Sequence, residues 1–230
     1  MLALSAAETQ AFVLSLQVAG MSAACNLPVA IALSYILTRG RFVGRGLLDA
    51  VVHLPLVLPP VAIGYLLLVL FGNRGPIGHW LLTNLGIQLA FTRAGAALAT
   101  AVMSLPLMVR AMRISLENID PGLEDAARSL GAGPIDRFAN ITLPLMLPGI
   151  LAGIVTAFAA GLGEFGAVIT FVSNIPGETR TLPLALYTAL QTPDGNAAAA
   201  RLALLSIGLG ICGLLLSEYL SRSIGKLLGR

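Results

Sequence analysis

The sequence predicts an all-α, polytopic membrane protein with five transmembrane helices, and three observations carry that prediction. Of 230 residues, 57% are hydrophobic and only 11% are charged, against the roughly 25% charged residues of an ordinary soluble domain. The apolar residues fall in runs of about 20 or more, the length that crosses a bilayer. The 25 glycines and 13 prolines sit inside those runs instead of in polar tracts, which excludes a disordered or collagen-like chain. Leaving room for loops, residues 1–230 make one transmembrane unit with no separate soluble domain.

The first span is expected over residues 12–37, with Asn26 and Pro28 kinking it. A secretory signal is not expected there: the first cation is Arg39 and the run is too long for a signal core. The second span, 47–71, contains Pro55, Pro59 and Pro60. Its middle cannot be a regular helix unless neighbours satisfy the freed carbonyls, so it is a candidate pathway element. Between residues 72 and 94 the segment Ile77 to Leu85 reads as a short interfacial helix with Trp80 at headgroup level. The third span is 94–112.

Residues 113–140 are the most polar stretch, holding Glu117, Asp120, Glu124, Asp125, Arg128, Asp136 and Arg137. Pro121 suits a first helical turn with Asp120 as N-cap, and Gly131 suits a left-handed helix end before a second short helix. The fourth span, 143–171, would be about 43 Å long as a straight helix. It must therefore protrude or bend, and Pro144, Pro148, Gly161, Gly163 and Gly166 permit either. A second interfacial helix is expected near Pro183 to Gln191, and the fifth span over 202–220.

Orientation follows from the cations. Placing the loop after the first span inside puts Arg39, Arg41, Arg45, Arg110, Arg113, Arg128, Arg137, Arg222, Lys226 and Arg230 in the cytoplasm, and Arg74, Arg93, Arg180 and Arg201 outside. Ten against four gives N-terminus out, C-terminus in, and an odd number of spans. These cations are scattered singly, so a nucleic-acid partner is not expected. The words LPLVLP at 54–59 and LPLMLP at 143–148 match, but such words arise readily at helix entries and do not establish a repeat.

Few residues carry chemistry. Cys25 and Cys212 lie in apolar spans as small hydrophobes, and no metal site is expected. His53 and His79 have no carboxylate at triad or ligand spacing, and no HExxH, GxSxG or CxxC occurs. The only lysine, Lys226, has no Ser or Thr after it, which excludes a phosphate-binding loop. The chain is therefore expected to be non-catalytic and to carry no cofactor; any ATP and magnesium belong to another polypeptide. Within the spans, Glu164 in Gly163-Glu164-Phe165-Gly166 is the conspicuous carboxylate, expensive by at least about 2.5 kcal/mol near the bilayer centre. A charge there needs a partner, protein or water, so Glu164 reads as a structural pair or gate contact, with Pro55, Pro59, Pro60, Gly163, Phe165 and Gly166 as further pathway or gate candidates. Asp49, near the inner surface, reads as solvated.

Asp125-Ala126-Ala127, three residues, Gly131, nine residues, then Ile141-Thr142-Leu143-Pro144 resembles the EAA-x3-G-x9-I-x-LP loop of permease subunits of bacterial ABC importers, the binding-protein-dependent inner-membrane components. Asp125 replaces the family's Glu, although Glu124 is adjacent. Over essentially the whole chain, HLPLVLPPVAIGYLLL at 53–68, SLPLMVRAMR at 104–113, LGEFGAVITFVSNIPGETRT at 162–181 and ARLALLSI at 200–207 resemble the molybdate branch, with sulfate and tungstate permeases as close relatives.

The resemblance implies a multi-pass protein of the bacterial cytoplasmic membrane, paired with a second copy, with the pathway between the two. It implies cytoplasmic ATPase subunits docked on a helical coupling elbow and an oxyanion-binding protein docked outside. The coupling residues carried over are Glu124, Asp125, Ala126, Ala127, Gly131, Ile141, Leu143 and Pro144. The rival reading, an ion-coupled secondary transporter, has a single deep acid and no convincing repeat pair to support it.

The topology is testable. With Cys25 and Cys212 replaced, Gly40→Cys and Glu178→Cys are expected to react with an impermeant thiol reagent from opposite sides of the membrane; labelling from one side would reject the orientation.

Overall fold

The computed structural model describes residues 4–227. Arg230 and the side chains of Arg222 and Lys226, counted above among the inside cations, lie outside that description. The described chain forms α1 (Ala6–Arg39), α2 (Arg45–His53), a 3-10 turn (Leu54–Leu56), α3 (Pro60–Phe71), α4 (Pro76–Leu85), α5 (Arg93–Glu117), α6 (Pro121–Ser129), α7 (Pro134–Arg137), a π-helical turn (Phe138–Thr142), α8 (Leu143–Leu162), α9 (Gly166–Val172), α10 (Leu182–Gln191) and α11 (Asn196–Leu227). Among the described residues, α1, α5, the run Pro134–Leu162 and the Asn196–Gly213 part of α11 are each long and apolar enough to cross a membrane. Arg45–Leu56 and Pro60–Phe71, bent by 111°, make a fifth crossing when taken as one broken span.

Two expected spans are interrupted for stated reasons. The second cannot run straight because Pro55, Pro59 and Pro60 withhold three N–H groups, and the chain turns sharply between Leu56 and Pro60. The fourth is not one helix over 143–171: α8 ends at Leu162, and Gly163, Glu164 and Phe165 separate it from α9. The first, by contrast, continues through Pro28 without losing its helical assignment. Asn26, expected to help kink that helix, instead ties it to a neighbour. Its Nδ2 donates to the Ala101 carbonyl at 2.8 Å and to Ser104 Oγ at 3.1 Å on α5, satisfying a buried amide away from water.

Helices α1, α5 and α8 form the centre, with α11 and α10 on one flank and α3 with α9 on the other. One apolar cluster joins Leu14, Val18, Ile63, Leu67, Val168, Phe171 and Val172; the other joins Leu37, Met108, Met112, Leu116, Met146 and Ile150. Along α8 the buried residues Gly149, Gly153, Ala157 and Gly161 recur every four positions, one stripe on one face. Side chains added there meet neighbours at once. A Cβ at Gly149 would overlap Ser115, one at Gly153 would lie 3.1 Å from Met108 Cγ, and one at Gly161 2.8 Å from Thr100 Cγ2. The stripe lets α8 press against α5, as small residues do at helix crossings in lipid.

Cys25 and Cys212 are both exposed, Cys212 in an open apolar groove between α11, α1 and α8. The short helices α4 and α10 stand where interfacial helices were expected, and Trp80 is exposed on α4.

Gly149→Ala is expected to lower the stability of the detergent-solubilised protein by about 1–3 kcal/mol through overpacking, read as a lower thermal unfolding midpoint. Gly20→Ala, which meets nothing within 4 Å, is expected to hold or raise it. Equal responses would show that the α8 stripe is not tightly packed.

Candidate coupling elbow and broken-helix site

The polar segment folds as a helix–glycine–helix elbow. The Asp120 carboxylate accepts the Gly122 N–H at 2.8 Å and caps α6, with Pro121 in its first turn. At the other end Gly131 has φ +89°. There the Gly131 N–H donates to the Arg128 carbonyl at 3.1 Å and the Ala132 N–H to the Ala127 carbonyl at 3.0 Å. This paired closure of a helix end demands a left-handed residue, hence glycine. The chain then passes through α7 and the π turn directly into α8. That turn adjoins Pro144, which lacks the N–H that a regular α-ladder requires.

Glu124 holds the elbow to the body. Its Oε1 accepts the Thr142 hydroxyl at 3.0 Å and lies 3.4 Å from Arg39 Nε, in the last turn of α1. Arg39 also donates through Nη2 to the carbonyls of Ile119 at 3.1 Å and Leu116 at 3.4 Å. Tyr35 and Phe138 add an edge-on contact with centroids 5.2 Å apart. One guanidinium thus ties together α1, the end of α5 and α6.

The motif residues divide between these contacts and the surface. Asp125 is exposed and pairs only with Arg128, at 3.1 Å; Ala126 is exposed, and Ala127, Ile141 and Leu143 are half-buried. Pro144 is exposed at the start of α8. Around them Leu123, Leu130 (89% exposed) and Ile135 (83% exposed) present apolar side chains with no cover within the chain, an exposed apolar face on a polar elbow. Sequence reasoning missed Arg39 and Thr142 because the ties cross 85 and 18 positions of chain (124 − 39 and 142 − 124), and no local pattern announces them.

At the opposite end the structure brings two sets of pathway candidates together. Gly166, at the start of α9, lies so near Pro60, at the start of α3, that a Cβ there would fall 2.7 Å from the proline Cβ. Pro55 is buried; Pro59, Pro60 and Gly163 are exposed; Glu164 and Phe165 are half-buried. Among the described residues Glu164 pairs with no arginine. Its Oε1 accepts the Ala167 N–H at 2.9 Å, satisfying a donor that the break in the helix leaves open. Phe165 packs against Tyr187 of α10, with centroids 5.1 Å apart.

Two further residues depart from expectation. Asp49 is not simply solvated: Arg113 Nη1 lies 2.6 Å from its Oδ1. His53, read as having no carboxylate nearby, has Asp49 one helical turn before it, with Nδ1 3.2 Å from Oδ1 and 2.9 Å from the Asp49 carbonyl. The helical spacing of four, visible in the sequence, is the signal that finds this pair. Between the start of α11 and the start of α1, Arg201 Nη2 lies 2.9 Å from Glu8 Oε1. In the loop after α9, Ser173 has φ +64°, a conformation rare for a residue with a Cβ. It is held there by the Thr179 hydroxyl, which donates to the Ser173 carbonyl at 3.1 Å and accepts the Ile175 N–H at 2.9 Å.

Glu164→Ala, which removes the acceptor, is expected to cost about 0.5–2 kcal/mol of stability, whereas Glu164→Gln keeps an oxygen acceptor and is expected to lose less. Thermal unfolding of the two variants in one detergent checks the order; equal losses would mean that the carboxylate charge matters and the cap does not.

Comparison with known proteins accounts for this arrangement. The chain is 57% identical over 223 residues to the molybdenum transport system permease protein ModB of Escherichia coli strain K12, covering 97% of each chain. It is 40% identical over 168 residues to the sulfate transport system permease protein CysT of the same strain, covering 73% of this chain and 60% of that one. The crystal structure of a bacterial ABC transporter involved in the import of the acidic polysaccharide alginate matches with a TM-score of 0.74 at 18% identity, over 96% of this chain and 81% of that one. This structural match bears on the fold alone. Residues 27–226 match the family of binding-protein-dependent transport system inner membrane components, and with its broken spans and helical elbow the chain belongs to that family.

Proposed function

We propose that this chain is the membrane-spanning subunit of an ATP-driven importer that carries a tetrahedral oxyanion, molybdate first among them, into the cytoplasm. Its full-length identity to a molybdenum permease exceeds its identity to a sulfate permease in both extent and degree, which supports molybdate over sulfate. A second copy completes the pathway. Val57, Val61 and Tyr65 on and before α3, more than half exposed, offer that copy an apolar face beside the Pro60–Gly166 contact. ATP is hydrolysed on separate cytoplasmic ATPase subunits, and a binding protein delivers the oxyanion from outside, where the pinned loop after α9 offers a shaped surface. The N-terminus lies outside and the elbow inside.

The observation that carries the coupling role is the rigid closure of α6 on Gly131 and its continuity into α8. The exposed Leu123, Ala126, Leu130 and Ile135 dock on the ATPase subunit. A push there passes along α7 and the π turn into a helix that crosses the bilayer and ends beside Glu164. Because Arg39 and Glu124 tie the elbow to α1 and α5, the displacement moves the bundle as a body and does not merely bend a loop. Import is then a shift between two packings of the same helices.

A Cβ at Gly131 meets nothing within 4 Å, so the effect of Gly131→Val is expected to come from the left-handed backbone, at about 1–2 kcal/mol. The variant is expected to insert normally, yet to bind the ATPase subunit weakly or leave hydrolysis insensitive to loaded binding protein; Ala126→Asp is expected to do likewise. The reconstituted complex, offered binding protein loaded with molybdate, tungstate or sulfate in turn, is expected to respond best to molybdate. Wild-type coupling in both variants would remove the elbow from the mechanism, and a response to sulfate alone would reassign the substrate.

A further inference from the structure

The proposed pathway leaves unused a polar cavity of about 310 Å³ at the inner end, lined by Asp49, His53, Arg110, Arg113, Ile114 and Glu117. Its charges are unequally engaged. Arg113 is occupied on both sides, 2.6 Å from Asp49 Oδ1 and 3.7 Å from Glu117 Oε1, and His53 turns Nδ1 back onto Asp49. Arg110 is exposed into this cavity and enters none of the ion pairs of the described residues. It stands seven residues, about 10 Å of helix, before the inner end of α5. A lone guanidinium at that depth is costly against hydrocarbon and demands water or an anion.

We propose that this cavity is a receiving site for a tetrahedral oxyanion at the inner mouth of the pathway, with the Arg110 guanidinium as its anion contact. The inference rests on the reading of the chain as an oxyanion importer. The guanidinium fork matches two oxygens of a tetrahedral anion in parallel. Asp49 and Glu117 hold Arg113 out of that contact and leave one free cation facing a dianion, so the site binds loosely enough to release its occupant inward, as conduction requires. The same two carboxylates repel the anion from the far wall of the cavity, leaving Arg110 as its point of contact. A lipid phosphate offers the same chemistry, and the experiment separates the two sources.

The permease with its ATPase subunits is reconstituted in vesicles of phosphatidylcholine alone or with phosphatidylglycerol, as wild type, Arg110→Gln, Arg110→Lys and the outer-surface control Arg74→Gln. Modification of Arg110 and Arg74 by phenylglyoxal is followed by mass spectrometry, in nucleotide-free complex, with and without millimolar sodium molybdate or sodium sulfate. Molybdate is expected to slow modification at Arg110 and not at Arg74 in phosphatidylcholine. Arg110→Gln is expected to lower molybdate uptake per ATP hydrolysed about tenfold, the loss of one charge-assisted contact. Stimulation of hydrolysis by loaded binding protein should stay within about twofold, Arg110→Lys should fall between, and Arg74→Gln should match wild type.

Equal fall of uptake and stimulation would make Arg110 structural and overturn the site. Protection by phosphatidylglycerol and not by molybdate would assign the guanidinium to lipid phosphate and overturn its part in transport. Reactivity indifferent to every anion would do the same. Failure of the wild type to import molybdate would instead sink the substrate reading, and the sulfate arm of the protection measurement would still decide the anion site.

Discussion

The close approach of α8 to α5 is the constraint on which the rest of the molecule depends. In lipid there is no hydrophobic gain from bringing two apolar helices together, so their association rests on dispersion contacts and interhelical hydrogen bonds, both of which need short distances. The stripe Gly149, Gly153, Ala157, Gly161 supplies that distance on one side of α8, and Asn26 supplies a hydrogen-bonded tie between α1 and α5. With α1, α5 and α8 fixed, the two broken spans have a surface to lean on. A helix interrupted at mid-membrane is tolerated only where neighbours satisfy its open backbone groups.

The breaks and the elbow solve opposite problems with the same small set of devices. At Gly163–Phe165 the chain stops being helical within an apolar bundle, and Glu164 supplies the acceptor that the start of α9 lacks. At Gly131 the chain stops being helical outside the bundle, and the glycine closes α6 on its own carbonyls. Both ends of the run Pro134–Leu162 are thus finished by defined contacts, and between them the run stays helical, through a π-helical turn at Phe138–Thr142.

Charge placement follows depth. The pairs Arg39–Glu124, Arg113–Asp49 and Arg201–Glu8 all lie near helix ends and all join segments distant in sequence. Arg39–Glu124 and Arg113–Asp49 are partly exposed, where an ion pair contributes little to stability by itself, whereas Glu8 is buried and needs Arg201 as its partner; the effect of each pair is to set which ends meet. The elbow is anchored this way, with Glu124 turned inward to Arg39 and the apolar Leu123, Leu130 and Ile135 left exposed.

The sequence by itself determined the class, the crossings and the elbow. Composition and run length identify a membrane chain, because the bilayer imposes one length and one polarity on whatever crosses it. The motif from Asp125 to Pro144 marks the elbow because caps and left-handed glycines are local rules, satisfied within a few residues. Proline clusters likewise marked the middle of the second span as irregular, whereas the length of the fourth required it to protrude or bend and left the choice open. Tertiary structure alone decided the rest. It placed Pro60 against Gly166, gave Arg39 to Glu124, turned Asn26 from a suspected kink into a tie, made Glu164 a helix cap and left Cys25 and Cys212 exposed. Every one of these depends on which face of a nearly uniform apolar helix turns toward its neighbours, and a helix that is hydrophobic all round carries no periodicity from which that face can be read.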